Sequence, residues 1–518
     1  MNERTMRITA LGHAGLKVET VAATVLIDPW LSPEGAFQAA WFQFPENAHL
    51  LEQDYSETTA VVVSHEHLDH VDPWFLGRLP PDVPVIIPRY PSPALRNKLS
   101  TAGRSRVVEV DPWRVASAGN GVSVYFVSEE SPMNQDSAIA LTAGGRTLLN
   151  LNDARLTPHQ FRAVLRRAGG RIDVFSAQGS GASWHPIAYE MPETRKREVA
   201  REKRLAKFAY LEKAVRVLKP VVTLPFAGPM CFLDPELFEH NEQMEDGGIF
   251  PDQEQVANWL GGRGLRDVEV MLPGDLWDVD EGVRIADPTW TGFRFVDRWD
   301  YLRDYAERKR DVVASIKASY PDPRESLWEP FRDYFERLLA MSPYFNRRIR
   351  MRVGFDIVGP GGGRWAVDFR PGSQGVRNDM RDCGYTFRFA SRWLLAILDG
   401  RVHWEDFLLT MRFRAARTPD VYNDHLLGVL KFAEPGSLRK VEAYETAARD
   451  TGTIEVVCEG RTYEVERFCP HAGGDLRETG EVLAGGRLRC LNHYFEFDLE
   501  SGGCLNGNVG PLRVRRVR

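Results

Sequence analysis

The stretch Ala60-Val-Val-Val-Ser-His-Glu-His-Leu-Asp-His70 decides how the first half of this chain is read. Four consecutive apolar residues, three of them β-branched, read as a strand buried on both faces. Three imidazoles and a carboxylate follow at once: His65, His67, Asp69 and His70. Side chains leaving the end of a buried strand are held by rigid backbone. Imidazole with carboxylate is a donor set for zinc or non-haem iron. A solvated polar loop is the bland alternative, and such crowding directly after a buried strand argues against it.

Around this stretch, residues 1–290 alternate short apolar strands with turns and a few helices. Strands are expected at Met6–Leu11, Lys17–Glu19, Thr24–Ile27, Val122–Val127, Ser137–Thr142, Thr147–Leu151 and Ile172–Phe175. A strongly basic helix is expected from Arg195 to Lys219, with Leu205, Phe208, Leu211, Val215 and Leu218 as its apolar face and Pro220 as its stop. The whole reads as a layered α/β domain.

The chain has 518 residues, 43% hydrophobic and 27% charged, the balance of a globular protein of roughly three domains. Its 66 basic and 72 acidic residues leave a net charge of −6, which excludes a basic field for nucleic acid. No apolar run is long enough to span a bilayer, and no signal core precedes the first strand. A cytoplasmic protein is expected, with no membrane partner and homo-oligomerisation left open. Six cysteines in this length argue against an oxidising compartment.

Residues 291–440 read as an α+β module. Helices are expected at Trp299–Ala318, Trp328–Leu339, Trp393–Leu398 and Trp404–Leu409, and a hairpin of Arg348–Val358 with Trp365–Phe369 turns at Gly359-Pro-Gly-Gly-Gly363. That glycine run is no phosphate loop, because a strand follows it and Lys-Ser/Thr is absent. Residues 441–518 read as a small all-β domain with close glycine turns, of a size that calls for a cofactor as a staple.

Two of the cysteines sit beside histidines. Cys469-Pro-His471 is followed, after 18 intervening residues, by Cys490-Leu-Asn-His493. Each half offers one thiolate and one imidazole from a tight loop, so two cysteines can hold one iron of a [2Fe–2S] cluster and two histidines the other. A zinc site is the competing reading, but zinc fingers pair like with like, and here each pair is mixed.

The runs CPHAGGDL and CLNHYFEFDLESGG, quoted from Cys469 and Cys490, resemble a Rieske domain. The pattern HxHxDH resembles the metallo-β-lactamase superfamily, which implies an αββα sandwich. On that resemblance Asp28, in Leu26-Ile-Asp-Pro-Trp30, takes the early aspartate position. Asp153, in LLNLNDARLT (148–157), matches the aspartate that bridges or caps the metals. His13, in Leu11-Gly-His-Ala-Gly15, is expected to make a structural hydrogen bond. The superfamily usually supplies a further histidine downstream, yet Phe126–Asp136 contains none. Glu129, Glu130 or Asp136 is left to substitute, or one metal is held with open positions. His185 is a candidate late ligand, with a packed or substrate-facing role as the alternative. His240 is a weaker candidate at a helix end.

A cluster that moves single electrons has no use beside a zinc hydrolase. It has one beside iron that activates O₂. Residues 1–280 also resemble the CMP-N-acetylneuraminate hydroxylases, in LLNLNDARLT, SGASWHPIAY (180–189), PFAGPMCFLDPELF (225–238) and PGDLWDVD (273–280). The animal enzymes carry the Rieske domain first, whereas this chain carries it last. The 291–440 module resembles a sterol-carrier-like fold. The resemblance implies a Rieske-dependent monooxygenase. His65, His67, Asp69, His70 and Asp153 would hold non-haem iron, and Cys469, His471, Cys490 and His493 the [2Fe–2S] cluster. It further implies a polar small-molecule substrate (an N-acyl, amino or nucleotide-sugar compound) and an electron donor of the ferredoxin, cytochrome b5 or flavin reductase kind. A zinc hydrolase with an appended redox domain is the alternative. For the basic helix, a solvated face is favoured over a site for a phosphorylated substrate.

Overall fold

A computed structural model describes residues 6–131, 133–181, 183–446, 452–471, 473–491 and 494–517. The chain divides into two compact units, residues 1–129, 135–183 and 194–318, and residues 130–134, 184–193 and 319–518. The helix Arg298–Ala318, expected at the start of the middle module, belongs to the first unit. Tyr305 stacks edge-on against Phe42 there, and Arg298 donates to Asp252 at 2.6 Å. The expected boundary at 290 therefore falls one helix before the division.

The first unit is built on two sheets. Eight strands run in the order Val283–Ile285, Leu276–Asp278, Met6–Gly12, Gly15–Thr20, Thr24–Ile27, Ala60–Val62, Val85–Pro88 and Val107–Val110. Six more run Val222–Phe226, Val174–Gln178, Arg146–Asn150, Ser137–Ala143, Val122–Ser128 and Ala116–Gly119. Period-two alternation explains the layering. Val25, Ile27 and Val62 share one core with Val124, Phe126, Ile139 and Leu148 of the other sheet. Their neighbours Leu26, Val61 and Val63 turn outward onto Leu95 and Leu99 of the helix Ala94–Thr101. On the far side, Tyr125, Val127 and Leu149 meet Phe161 of Pro158–Arg167 and Phe208 and Leu211 of Glu193–Leu218. The result is the expected αββα sandwich. Phe208, Leu211, Val215 and Leu218 are buried as expected, but Leu205 is 44% exposed. Arg204 takes the inward place instead and donates to the Glu245 carbonyl at 3.0 Å.

In the second unit, five strands in the order Gly375–Arg377, Gly363–Asp368, Arg352–Val358, Tyr385–Ala390 and Phe413–Arg417 pack on helices that include Trp328–Met341, Ser391–Leu398 and Asp424–Phe432. The hairpin turns where expected, but its first strand starts later, because Arg348 lies in the helix Pro343–Ile349. Arg350 ends that helix in the left-handed conformation. Two three-stranded sheets form the C-terminal part. One holds Thr453–Cys458, Arg461–Glu466 and Val514–Arg516, the other Gly480–Leu483, Arg487–Cys490 and Glu496–Asp498. No helix among the described residues is long and apolar enough to cross a membrane.

Candidate metal centres

Thr24–Ile27 and Ala60–Val62 are parallel neighbours, so both release their loops at the same edge of the sheet. The first loop opens with Asp28 and the second with Ser64–His70. Asp28 is fully buried, and a positive φ of 41° turns the chain back at it. Its Oδ1 accepts from the Ser64 amide at 2.7 Å. Its Oδ2 accepts from the Ser64 hydroxyl at 2.6 Å and from His70 Nδ1 at 2.8 Å. Because the Ser64 hydroxyl donates to Asp28, it can only accept from His65 Nδ1, 2.8 Å away. Both histidines thus carry the proton on Nδ1 and turn an Nε2 lone pair inward, the arrangement that metal-binding imidazoles need.

Those lone pairs converge with carboxylates. His70 Nε2 lies 3.7 Å from Asp69 Oδ2 and 3.5 Å from Asp153 Oδ1. His65 Nε2 lies 2.8 Å from His67 Nδ1 and 4.0 Å from Asp136 Oδ1. Three overlapping groups result, each with its donor atoms within 4.8 Å of one another: His65–His67–Asp136, His65–His70–Asp153 and His13–Asp69–His70. The outer two share no residue, and Asp153 belongs to the middle one. His70 Nε2 and Asp69 Oδ1 are buried without a hydrogen-bond partner, a costly state for such atoms that a cation would relieve. Nitrogen and carboxylate oxygen without sulfur suit zinc or non-haem iron.

Burial disfavours charge throughout; at Asp28 it wins over the His70 and Ser64 bonds and raises the carboxyl, whereas at Asp69, Asp153 and His70 neighbours outweigh it. Asp69 is held below the usual carboxylate range by His70 and His13, and Asp153 by His70, His65 and Lys207. The same carboxylates raise His70 well above its ordinary value, so without metal the site keeps a proton where a cation would sit.

Of the three acids proposed for the missing histidine, Asp136 is the one brought to His65 and His67. Glu129 instead accepts from the Arg155 amide at 3.2 Å, and Glu130 belongs to the second unit. His13 makes the expected structural bond, donating to Asp69 Oδ2 at 2.8 Å. His240 packs edge-on against Phe232. His185 joins none of the three groups among the described residues. Arg417 donates to its Nε2 at 2.9 Å.

Two residues were not singled out in the sequence. Gln178 ends the strand parallel to Arg146–Asn150 and donates to Asp153 Oδ1 at 2.7 Å. Lys207, one turn beyond Lys203 on the basic helix, donates to the Gln178 carbonyl. Burial and the nearby Arg155 push the Lys207 ammonium down to about 7. Helical spacing could have flagged Lys207, because it flanks the buried Phe208 and Arg204. Elsewhere on this helix Arg195 pairs with Glu198 on the surface, as a solvated face requires.

The second centre lies in the C-terminal part. Cys469 and Cys490 are both buried in its core. The Cys469 amide donates to the Gly474 carbonyl at 2.8 Å, and Gly473 returns a bond to the Cys469 carbonyl at 2.8 Å with a φ of 70° that favours glycine. Thr479 Oγ1 approaches Cys490 Sγ at 3.6 Å. His471 is buried against Phe495, with ring centroids 4.4 Å apart, and its Nε2 donates to Asp424 Oδ2 at 2.6 Å. Burial works against its charged form, but Asp424 outweighs that and raises it. His493, the fourth expected ligand, lies outside the described residues.

Comparison with known proteins follows the same division. Residues 23–191 match the β-lactamase superfamily domain, and residues 430–513 match the Rieske [2Fe-2S] domain. A Rieske 2Fe-2S iron-sulfur protein of Mycobacterium tuberculosis H37Rv is 30% identical over 533 residues, covering 99% of this chain and 100% of its own. A Mycolicibacterium smegmatis counterpart is 29% identical over 531 residues, with the same coverage. The Danio rerio cytidine monophosphate-N-acetylneuraminic acid hydroxylase is 21% identical over 436 residues, 80% of this chain and 70% of its own. Among solved structures, CmlA, a diiron β-hydroxylase from Streptomyces venezuelae, aligns over 55% of each chain at 18% identity and a TM-score of 0.36. Igni18, a metallo hydrolase from Ignicoccus hospitalis, aligns over 55% of this chain and 99% of its own at 15% identity and a TM-score of 0.35. The chain belongs to the family of Rieske 2Fe-2S iron-sulfur proteins that its mycobacterial relatives represent, with a β-lactamase-superfamily domain in front of the Rieske domain.

Proposed function

We propose that this chain is a Rieske-dependent non-haem iron monooxygenase that hydroxylates or otherwise oxidises a polar small molecule in the cytoplasm. One observation carries the reading: a single chain joins a Rieske domain to a buried imidazole–carboxylate set whose outer groups share no residue. When bound, the cluster supplies single electrons, and iron with open coordination positions supplies oxygen activation.

The chain's own residues prepare both sites. Ser64 and Asp28 hold His65 and His70 with their Nε2 lone pairs inward. His13 pins one oxygen of Asp69, Gln178 orients Asp153, and Asp136 completes the group of His65 and His67. Cys469, His471, Cys490 and His493 would hold the cluster. Electrons would come from a ferredoxin, a cytochrome b5-like protein or a flavin reductase. Likeness to a nucleotide-sugar hydroxylase over 80% of the chain supports an N-acyl, amino or nucleotide-sugar substrate.

Metal analysis of the full chain tests this reading. About three or four irons and about two acid-labile sulfides per chain are expected, with the electron paramagnetic resonance of a reduced Rieske cluster. Two irons with stoichiometric zinc, and turnover that needs neither O₂ nor reductant, would establish the hydrolase instead.

A further inference from the structure

Asp424 opens the helix Asp424–Phe432, ahead of residue 430, where the Rieske match begins. Its place in the first turn favours a negative charge, because unpaired amides and the helix dipole point there. The preceding residue, Asn423, caps the helix through the Leu426 amide, which leaves the Asp424 carboxylate for another partner. That partner is His471, 2.6 Å away and buried, as Asp424 is. Other contacts tie the same two regions together. The Asn508 amide donates to the Tyr422 carbonyl at 2.6 Å, its side chain donates to the Arg348 carbonyl at 2.9 Å, and Tyr422 packs on Phe495.

We propose that Asp424 is a positioning residue of the cluster. Its carboxylate fixes the His471 ring with Nε2–H outward and Nδ1 towards iron, and it holds the reduction potential below what the four ligands alone would set. The physical basis is general. A carboxylate that accepts from a ligating imidazole raises the ligand's basicity and stabilises the more oxidised, more positive cluster. Glu445 is the natural control. It also acts on His471 through its charge, but its hydrogen bonds are to His425 at 3.0 Å and to the Tyr344 hydroxyl. The inference assigns a task to the α+β module, which the oxygenase reading leaves without one.

The test is a redox titration of the full-length chain, followed by electron paramagnetic resonance and visible circular dichroism. With the parent's iron and sulfide content retained, D424N should shift the midpoint potential upward, and E445Q should shift it less. An unmoved or lowered potential in D424N, or an equal shift in E445Q, overturns the proposal. If D424N does not assemble a cluster, D424E is measured in its place. A cluster near the parent potential upholds the proposal, and a shifted potential or no cluster in D424E overturns it. The inference rests on the Rieske reading, but the two fail separately. Missing iron and sulfide in the unaltered chain would defeat that reading, whereas an unmoved potential in a loaded D424N chain defeats only this one.

Discussion

Asp136 Oδ1 lies 4.0 Å from His65 Nε2, and with His67 the pair forms one complete three-donor group. An acid in that position brings negative charge to the ion where imidazole would be neutral. D136A should therefore lose at least about tenfold in iron affinity, taking the effect of weaker outer-sphere changes as a floor. Iron titration of chelated protein reads this directly. D136H should bind more tightly than D136A, and equal affinity in all three chains would remove Asp136 from the site.

Metal-free protein should show a pH window. Asp69 and Asp153 are held below the ordinary 3.8, so their contribution to stability is present above that pH and lost as pH falls through their folded values. His70 is held above the ordinary 6.5, so its contribution is complete below 6.5 and lost as pH rises through its folded value. The site thus favours folding most between about pH 4 and 6.5. Chemical denaturation of chelated protein across pH measures it. H70Q should flatten both limbs, because His70 is also the largest influence holding Asp69 and Asp153 down.

Asp28 is the buried acceptor for both Ser64 and His70. D28A leaves those donors unpaired in a dry site, which costs about 3–5 kcal/mol when one partner of a buried charged pair is removed. Denaturant midpoints should fall accordingly. Unchanged stability would mean that water replaces the carboxylate.

Gln178 touches Asp153, and Lys207 touches Gln178. Q178L should weaken metal binding by roughly 10–100-fold, the usual effect of losing an outer-sphere partner. K207M should weaken it less, because the Gln178 amide keeps its bond to Asp153. The reverse order would make the ammonium, and not the amide, the group that orients Asp153.

What could be read from the sequence follows the locality of each signal. His65, His67, Asp69 and His70 fall within six residues after a four-residue apolar run, so both strand and donor set are written locally. The same holds for Cys469-Pro-His471. Asp136 could be named only as one of three acids, because a loop's path chooses which of them meets His65. Asp424 acts at a sequence separation of 47 from His471, beyond any short pattern; helical spacing places Lys207 beside the buried face but not its contact with Gln178, 29 residues away. His185 also has a partner that no local pattern announces. Its short-range context looks like a ligand's, and Arg417, which donates to it, is 232 residues away. Leu205 fits the helical period but lies beyond the packed stripe, where Arg204 reaches inward instead.

On the proposed function, the reduced cluster is spent on dioxygen at the His65–Asp153 site. The direct measurement is the reoxidation of the cluster in anaerobically reduced full-length protein after mixing with O₂, followed by freeze-quench electron paramagnetic resonance. H65A with an intact cluster should reoxidise at least about tenfold more slowly than the parent chain, since His65 belongs to two of the three donor groups. Equal rates in the two chains would contradict the account.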